Sequence, residues 1–182
     1  MEEQEVPTEH LHEEMEHHAK HSGERWTLGV ALSSALLAAL AAVASLQAGH
    51  HANEAMISQI TAANQWSYFQ SKSIKESQLK SKLDILEALG KSAPVVDKSK
   101  LEEYKTDKEK IQMTAEEKEK EAQHELKTHQ IFARSVTLFQ IAISIGAIAV
   151  LTRRPKFWFV SLGLGLTGLV FFVQAFLFAA TH

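Results

Sequence analysis

Charged side chains are missing from three long windows of this 182-residue chain. No Asp, Glu, Lys or Arg occurs from Thr27 to Asn53, from Ser135 to Thr152, or from Phe157 to His182. A bilayer core about 30 Å thick is crossed by roughly 20 apolar residues in a helix. Because lipid cannot hydrogen-bond to the backbone, each window is expected to form a helix, in which the backbone bonds to itself. The sequence therefore predicts three transmembrane helices, over residues 26–49, 134–152 and 157–180.

The rest of the chain is polar and falls into three segments. Residues 1–25 form an acidic, His-rich tail, residues 50–133 form a long charged insert, and residues 153–156 form a short basic loop. None of these is long enough for an ordinary globular core of about 100 residues. The chain has no Cys, which excludes disulfides and thiolate metal sites.

The insert is predicted to contain two long helices. Pro is absent from residues 31–89 and again from residues 99–152, whereas residues 90–98 concentrate turn-forming side chains. Gly90 is expected to end the first helix, and Asp97 or Ser99 to cap the second. The predicted fold class is therefore an all-α membrane protein with three transmembrane helices. A long antiparallel, coiled-coil-like helical hairpin is inserted between the first and second.

Each arm of this hairpin is expected to bury a narrow apolar seam. Spacings of three and four residues define the seams, which are weak because charged residues interrupt them. The first arm has its clearest apolar positions at Met56, Ile60, Ala63, Leu79, Leu83 and Leu86. The returning arm has Leu101, Tyr104, Lys108, Ile111, Ala115, Lys118, Ala122, Glu125, His129 and Phe132. Two such thin seams favour packing against further copies, and so a homo-oligomer.

The short basic loop predicts the orientation in the membrane. Arg153, Arg154 and Lys156 surround Pro155, and short loops rich in Arg and Lys stay in the cytoplasm. Three spans then place the N-terminus in the cytoplasm, and the hairpin and C-terminus in the periplasm. The predicted location is the bacterial inner (plasma) membrane, as a multi-pass protein.

Three Gln residues are expected at a similar depth in the outer part of the membrane. They are Gln47, Gln140 and Gln174, one in each span. An unpaired amide in lipid is costly, so the hypothesis is a polar layer that hydrogen-bonds between helices. The alternative is three separately satisfied amides near an interface.

Histidines suggest two candidate sites. His17 and His21 would share a helix face in the tail and present imidazole ligands to a divalent metal, although a solvated tail is the alternative. His50, His51 and Glu54 follow the first span, where they are predicted to form a pore mouth or a proton or ion site. The alternative is that these three residues end a span in the headgroup region.

An aromatic and amide cluster lies further along the insert. Trp66, Tyr68, Phe69, Gln70 and Lys72 fall at least 16 residues beyond His50. At 1.5 Å per residue this is too far out for a membrane belt. Trp and Tyr combine apolar area with a polar tip, so these residues are predicted to form an oligomer or partner interface.

The same stretch carries a family resemblance. Residues 62–75 read Ala-Ala-Asn-Gln-Trp-Ser-Tyr-Phe-Gln-Ser-Lys-Ser-Ile-Lys, after an Ala-rich span and before a charged arm and two closing spans. This pattern resembles the bacterial membrane family called domain of unknown function 4337, over nearly the whole chain. Phe69 stands where a second Tyr is common in the family. The resemblance implies the architecture and a bacterial origin, and it brings no activity, cofactor or site residue.

The sequence favours a structural function over catalysis. It has no phosphate-binding loop, no HExxH, no GxSxG and no pair of acids within a span, so we expect a protein that is not an enzyme and uses no cofactor. The first hypothesis is a homo-oligomeric scaffold that contacts membrane lipid, not nucleic acid, and presents its hairpin to envelope protein partners. The alternative is an oligomeric small-ion channel or a transport accessory subunit.

Overall fold

The computed structural model describes residues 25–92 and 94–181, and these residues form three helices without any strand. Helix α1 is Arg25–Ala88 with 64 residues, α2 is Val95–Thr152 with 58, and α3 is Pro155–Ala179 with 25. Each helix is long and apolar enough to cross a membrane. For the described residues, the prediction of an all-helical fold with three helices long and apolar enough to span a membrane is therefore confirmed.

Gly90 ends α1 as the sequence predicts. Its φ of 68° lies in the left-handed region, which costs Gly little because it has no Cβ. The Lys91 N–H donates to the Leu86 carbonyl at 2.9 Å, and the Gly90 N–H donates to the Glu87 carbonyl at 2.9 Å. These two bonds are a Schellman motif, which satisfies carbonyls that the helix end would otherwise leave unpaired.

Helix α2 begins earlier than the capping pattern suggests. It starts at Val95, directly after Pro94, whose carbonyl accepts hydrogen bonds from the Asp97 and Lys98 N–H groups. Asp97 therefore lies in the first turn rather than before the helix, where its negative charge still complements the positive end of the helix dipole.

The basic loop is a tight reversal between α2 and α3. Arg153 has a φ of 53°, and the Arg154 N–H donates to the Ala149 carbonyl at 3.1 Å. Pro155 then opens α3, where its fixed φ suits the first helical position and its missing N–H costs nothing. The connection between the two helices is thus only two residues long.

The helices contribute to two compact units. The first unit takes the described residues up to 52 and those from 126 onward, and the second takes residues 53–125. The first unit has a core of small, aliphatic and aromatic side chains from all three helices. Its buried members are Val30, Leu37, Ala41, Ala44, Ala48, Phe132, Phe139, Ala142, Ile143, Ala147, Val150 and Ala175.

Glycines let the helices of the first unit approach closely. A Cβ built on Gly168 would lie 2.8 Å from Phe139 Cδ1, and one on Gly165 would lie 2.9 Å from Leu37 Cδ2. No atom would lie within 4 Å of a Cβ on Gly163, which faces open space. Two of the three glycines of α3 thus mark helix contacts of the kind that small residues allow in lipid.

Burial agrees with the seam predicted for the returning arm and corrects the one predicted for the first arm. All ten returning-arm positions are buried or half-buried, eight of them in the second unit and His129 and Phe132 in the first. On α1, however, Met56 and Ile60 are 59% and 54% exposed, and Ala63 is also exposed. The buried residues there are Ala55, Ser58 and Ala62. The first-arm prediction is therefore wrong over its first half, and the half-buried Leu79, Leu83 and Leu86 agree with its second half.

Candidate functional site

A cluster of lysines, carboxylates and aromatic rings joins α1 and α2 within the second unit. At its centre the Lys72 ammonium donates to Asp107 Oδ2 at 2.6 Å. The same nitrogen lies 5.5 Å from the Tyr68 ring centroid and 5.2 Å from that of Tyr104. Only 13% of the Lys72 side chain is exposed, because its aliphatic stem is covered while its charge meets one carboxylate and two π faces.

Lys108 makes a similar set of contacts, with the lysine on α2 and the carboxylate on α1. This lysine belongs to α2 and donates to Glu76 Oε2 of α1 at 2.7 Å. Its nitrogen lies 5.1 Å from the centroid of the Phe69 ring. Each helix therefore supplies one lysine to a carboxylate of the other, and each ammonium also contacts an aromatic ring. We call these residues, together with Trp66 and Glu119, the lysine–aromatic cluster.

Trp66 completes the cluster. Its indole N–H donates to Glu119 Oε1 at 2.8 Å, and its ring meets that of Phe69 edge to face at 5.6 Å. Within the predicted interface set, Trp66, Phe69 and Lys72 are half-buried, whereas Tyr68 and Gln70 are exposed. The structure thus gives Trp66, Phe69 and Lys72 contacts across to α2 of their own chain.

The cluster holds its central cation firmly charged. The hydrogen bond from Lys72 to Asp107 raises the pKa of the lysine above its ordinary value near 10.5, against the opposing effect of desolvation. The ammonium groups themselves occupy the aromatic faces, so the arrangement acts as a clamp between two helices. Because Lys72 stays charged at neutral pH, the cluster is suited to holding the two helices together rather than to proton transfer.

Two of the predicted histidines lie in the first unit. His51 stacks on Phe132 with ring centroids 5.6 Å apart and planes 10° apart, and it meets His50 edge to face at 5.3 Å. A third histidine, His129, makes a 2.8 Å hydrogen bond through Nδ1 to the Ala48 carbonyl. Glu54, the remaining member of the predicted site, is half-buried in the second unit.

The other predicted polar residues differ in burial, and two of them lie outside the described residues. Gln47 and Gln140 are half-buried and Gln174 is exposed. His17 and His21 lie outside the described residues. Among residues 25–92 and 94–181, no group of three His, Asp or Glu side chains is arranged to hold a metal ion.

The predicted interface contains four of the nine residues of the lysine–aromatic cluster and misses the other five. Tyr104 and Lys108 are predicted only as seam positions, and Glu76, Asp107 and Glu119 belong to no predicted site. Asp107 is 35 residues from Lys72, and Glu119 is 53 residues from Trp66. The available signal was the pairing of an aromatic residue with a lysine four positions away, which Tyr68 and Lys72 show on α1.

The comparisons with known proteins give the family. The family model described as "Domain of unknown function (DUF4337)" matches residues 26–178, and the chain therefore belongs to this family. No curated protein and no solved structure matches the chain.

Proposed function

We propose that this member of the DUF4337 family is a homo-oligomeric scaffold of the bacterial inner membrane. Its three spans anchor the chain, and residues 53–125 form a stiff antiparallel hairpin that it presents to envelope partners. The basic loop at residues 153–156 favours a cytoplasmic N-terminus, with the hairpin and C-terminus in the periplasm.

The pairing order of the contacts between α1 and α2 supports an antiparallel hairpin. Trp66 bonds Glu119, Lys72 bonds Asp107, and Lys82 bonds Asp97 at 2.6 Å. Partner numbers on α2 fall as those on α1 rise, as two oppositely directed helices require. The arms, residues 53–88 and 95–125, would be about 54 and 46 Å long at helical rise.

The lysine–aromatic cluster is the observation that carries the scaffold proposal. It ties the two helices together midway along the second unit with ion pairs of 2.6 and 2.7 Å, each backed by an aromatic ring. Ion pairs with good geometry in a network contribute more than isolated surface pairs, which contribute little. A unit built this way resists bending, which a scaffold needs and which a small-molecule site does not.

Mass measurement on the full-length protein tests the assembly. We expect the protein solubilised in mild detergent to give a single oligomeric mass by native mass spectrometry, with at least two copies per particle. A monomer at every detergent concentration at which the protein stays folded would contradict the proposal.

Charge reversal tests the hairpin itself. Lys72→Asp and Asp107→Lys should each lower the melting temperature of the protein, because each places like charges side by side. The double variant should recover much of the loss, because it restores an opposite-charge pair with the partners exchanged. Exposed Asp84, reversed to Lys, is the control and should change the melting temperature little. Absence of any recovery in the double variant would contradict the pairing.

An ion-conducting function is the second candidate, and the histidines of the first unit favour it. His51 and His129 are each held by specific contacts, His51 against a buried aromatic ring and His129 by a backbone carbonyl. A conducting oligomer would pass protons or small cations into liposomes, and His51→Phe would change that flux. Liposomes with no flux above the protein-free background would reject this candidate.

A further inference from the structure

One stripe of α1 in the second unit is both exposed and free of charge. It starts at Ile57 and steps three and four residues alternately to Ala88, and every position on it is exposed. In residues 53–88 these steps occupy two of the seven heptad positions, and no Lys, Arg, Asp or Glu falls on either of them. Each of the other five heptad positions carries at least one charged residue. We call this set the uncharged stripe.

The uncharged stripe carries large aliphatic side chains that their own chain does not cover. Ile57, Ile60, Ile74 and Ile85 are 56%, 54%, 58% and 60% exposed. Over residues 55–62 the opposite side of the same helix buries Ala55, Ser58 and Ala62 instead. In that part, large aliphatics outside and small residues inside reverse the usual distribution for a helix with one partner. The distribution fits a helix with a second partner on its outer side.

The spacing of the stripe identifies the form of that partner. Alternation of three and four residues is the repeat of helices that wind around each other over a long distance. Near the Ala88 end, Gln78, Ser81 and Ile85 of the stripe also line an open groove of about 450 Å³, together with Ser77, Lys82 and Leu86. The repeat of the stripe fits a long helix with a matching repeat as its partner.

The returning arm of another copy does not match the stripe. Between residues 98 and 125, each of the seven heptad positions of α2 carries at least one Lys, Asp or Glu. Met113 is 70% exposed there, but Glu109 and Glu116 lie on the same side, four residues before it and three after it. A face that includes such carboxylates would bury charge without a partner against the uncharged stripe, which is costly. The segment of this chain with a matching face is α1.

We propose that the uncharged stripe pairs with the same stripe of a second copy, in parallel and in register. The inference rests on the proposed homo-oligomer, because α1 of every copy would then enter the same membrane by the same end. In a parallel, in-register pair each residue meets its own equivalent, so any charge would face a like charge. The stripe carries no charge, so it avoids that repulsion along its whole length. Asn64 would meet the equivalent Asn of the second copy and Gln78 the equivalent Gln, and in each pair one amide donates a hydrogen bond to the other. An Asn at a seam position is a known determinant of register.

Disulfide trapping in membranes tests the pairing, and the absence of native Cys makes every introduced thiol unique. Ile60→Cys and Ser81→Cys place thiols on the stripe, one near each end. Gln59→Cys and Lys80→Cys are matched controls, because each is exposed and lies one residue away on a different side of the helix. A facing pair brings Cβ atoms within the roughly 4 Å that a disulfide needs.

Full-length variants are oxidised with copper phenanthroline, and the covalent dimer is measured on non-reducing gels. We expect both stripe variants to give at least about fivefold more dimer than their neighbouring controls. Equal yields from stripe and control would overturn the proposal. Dimer from Ile60→Cys without dimer from Ser81→Cys would also overturn it, because the pairing would then not be in register along the stripe.

Native mass spectrometry of protein extracted from the same membranes distinguishes failure of this pairing from failure of the proposed scaffold. Ile74→Lys places like charges in the seam and should reduce the oligomer at least about tenfold, whereas Gln59→Lys adds the same charge elsewhere and should not. An unmodified chain that is oligomeric but gives no trapping at the stripe refutes the pairing and leaves the scaffold standing. A monomeric unmodified chain refutes the scaffold first. If Ile74→Lys does not fold, the trapping yields alone decide.

Discussion

Replacing Gly168 with Ala should destabilise the first unit by forcing two helices apart. The new Cβ would lie 2.8 Å from Cδ1 and 2.9 Å from Cε1 of Phe139, and 3.3 Å from Cβ of Leu138. Carbon atoms attract best at about 3.5–4.0 Å, so all three contacts are too short. Phe139 is fully buried and meets Phe172 edge to face at 6.2 Å, so its ring has little freedom to move. Relief therefore requires a shift of backbone.

The magnitude follows from two opposing effects. Overpacking of a filled core costs about 1–3 kcal/mol, while Gly to Ala in a helix gains up to about 1 kcal/mol of helix propensity. Gly163→Ala makes the same backbone change in open space, so it serves as the control. Both variants gain the same helix propensity, so it cancels when their unfolding free energies are subtracted. The remaining difference is the cost of overpacking and should be about 1–3 kcal/mol. Gly165→Ala should fall between them, because the atoms it meets are the terminal methyls of Leu37, which can rotate away.

Unfolding in mixed micelles measures these differences. Each variant is titrated with sodium dodecyl sulfate against a mild detergent, and loss of structure is followed by tryptophan fluorescence. The expected order of stability is Gly163→Ala, then Gly165→Ala, then Gly168→Ala. A Gly168→Ala variant as stable as Gly163→Ala would refute the reasoning, because it would mean that α2 and α3 are not held at the observed distance.

Two further predictions concern polar contacts. The Ser161 hydroxyl is buried and donates to a carbonyl of α2 at 2.7 Å, so Ser161→Ala should lower stability by about 1 kcal/mol in the same assay, whereas exposed Thr167→Val should change it less. Because the pKa of Lys72 is raised by its hydrogen bond to Asp107, the stability from this pair is fully present below the ordinary lysine value near 10.5 and is lost as pH rises through the higher folded value. The difference in stability between the unmodified chain and Asp107→Asn should therefore be constant from neutral pH to about pH 10 and shrink above it, and exposed Asp84→Asn should show no such alkaline change. A difference that is constant to about pH 12 would contradict the assigned cause.

The spans and the helix end at Gly90 could be predicted because local chemistry determines them. A run of residues without charge has one stable form in lipid, and a Gly after an apolar helical pattern commonly adopts the left-handed conformation that ends a helix. The seam of the returning arm was also predictable, since Ile111, Ala115 and Ala122 are apolar positions four and seven residues apart in a segment rich in Glu and Lys. In each case the deciding residues are close in sequence.

The buried side of α1 in the second unit could not be predicted from hydrophobicity. Ranking by hydrophobicity selects Met56 and Ile60, yet the structure buries Ala55, Ser58 and Ala62. Small residues are buried there because they let two backbones approach, and closeness of backbones is a property of the pair of helices rather than of either sequence. The partners of the lysine–aromatic cluster were hidden for the same reason, because the register between α1 and α2 selects them.

The narrow interior of the second unit explains why its outer side carries so much apolar surface. Ala and Ser fill the space between the helices over residues 55–62, so burial there removes little apolar area from water. The ion pairs further along join the helices through polar atoms, so they also bury little apolar area. The interior of the hairpin therefore gains little from the hydrophobic effect. In the proposed pairing, covering the four isoleucines of the uncharged stripe would add the apolar burial that the interior lacks, and the stability of the second unit would then depend on assembly.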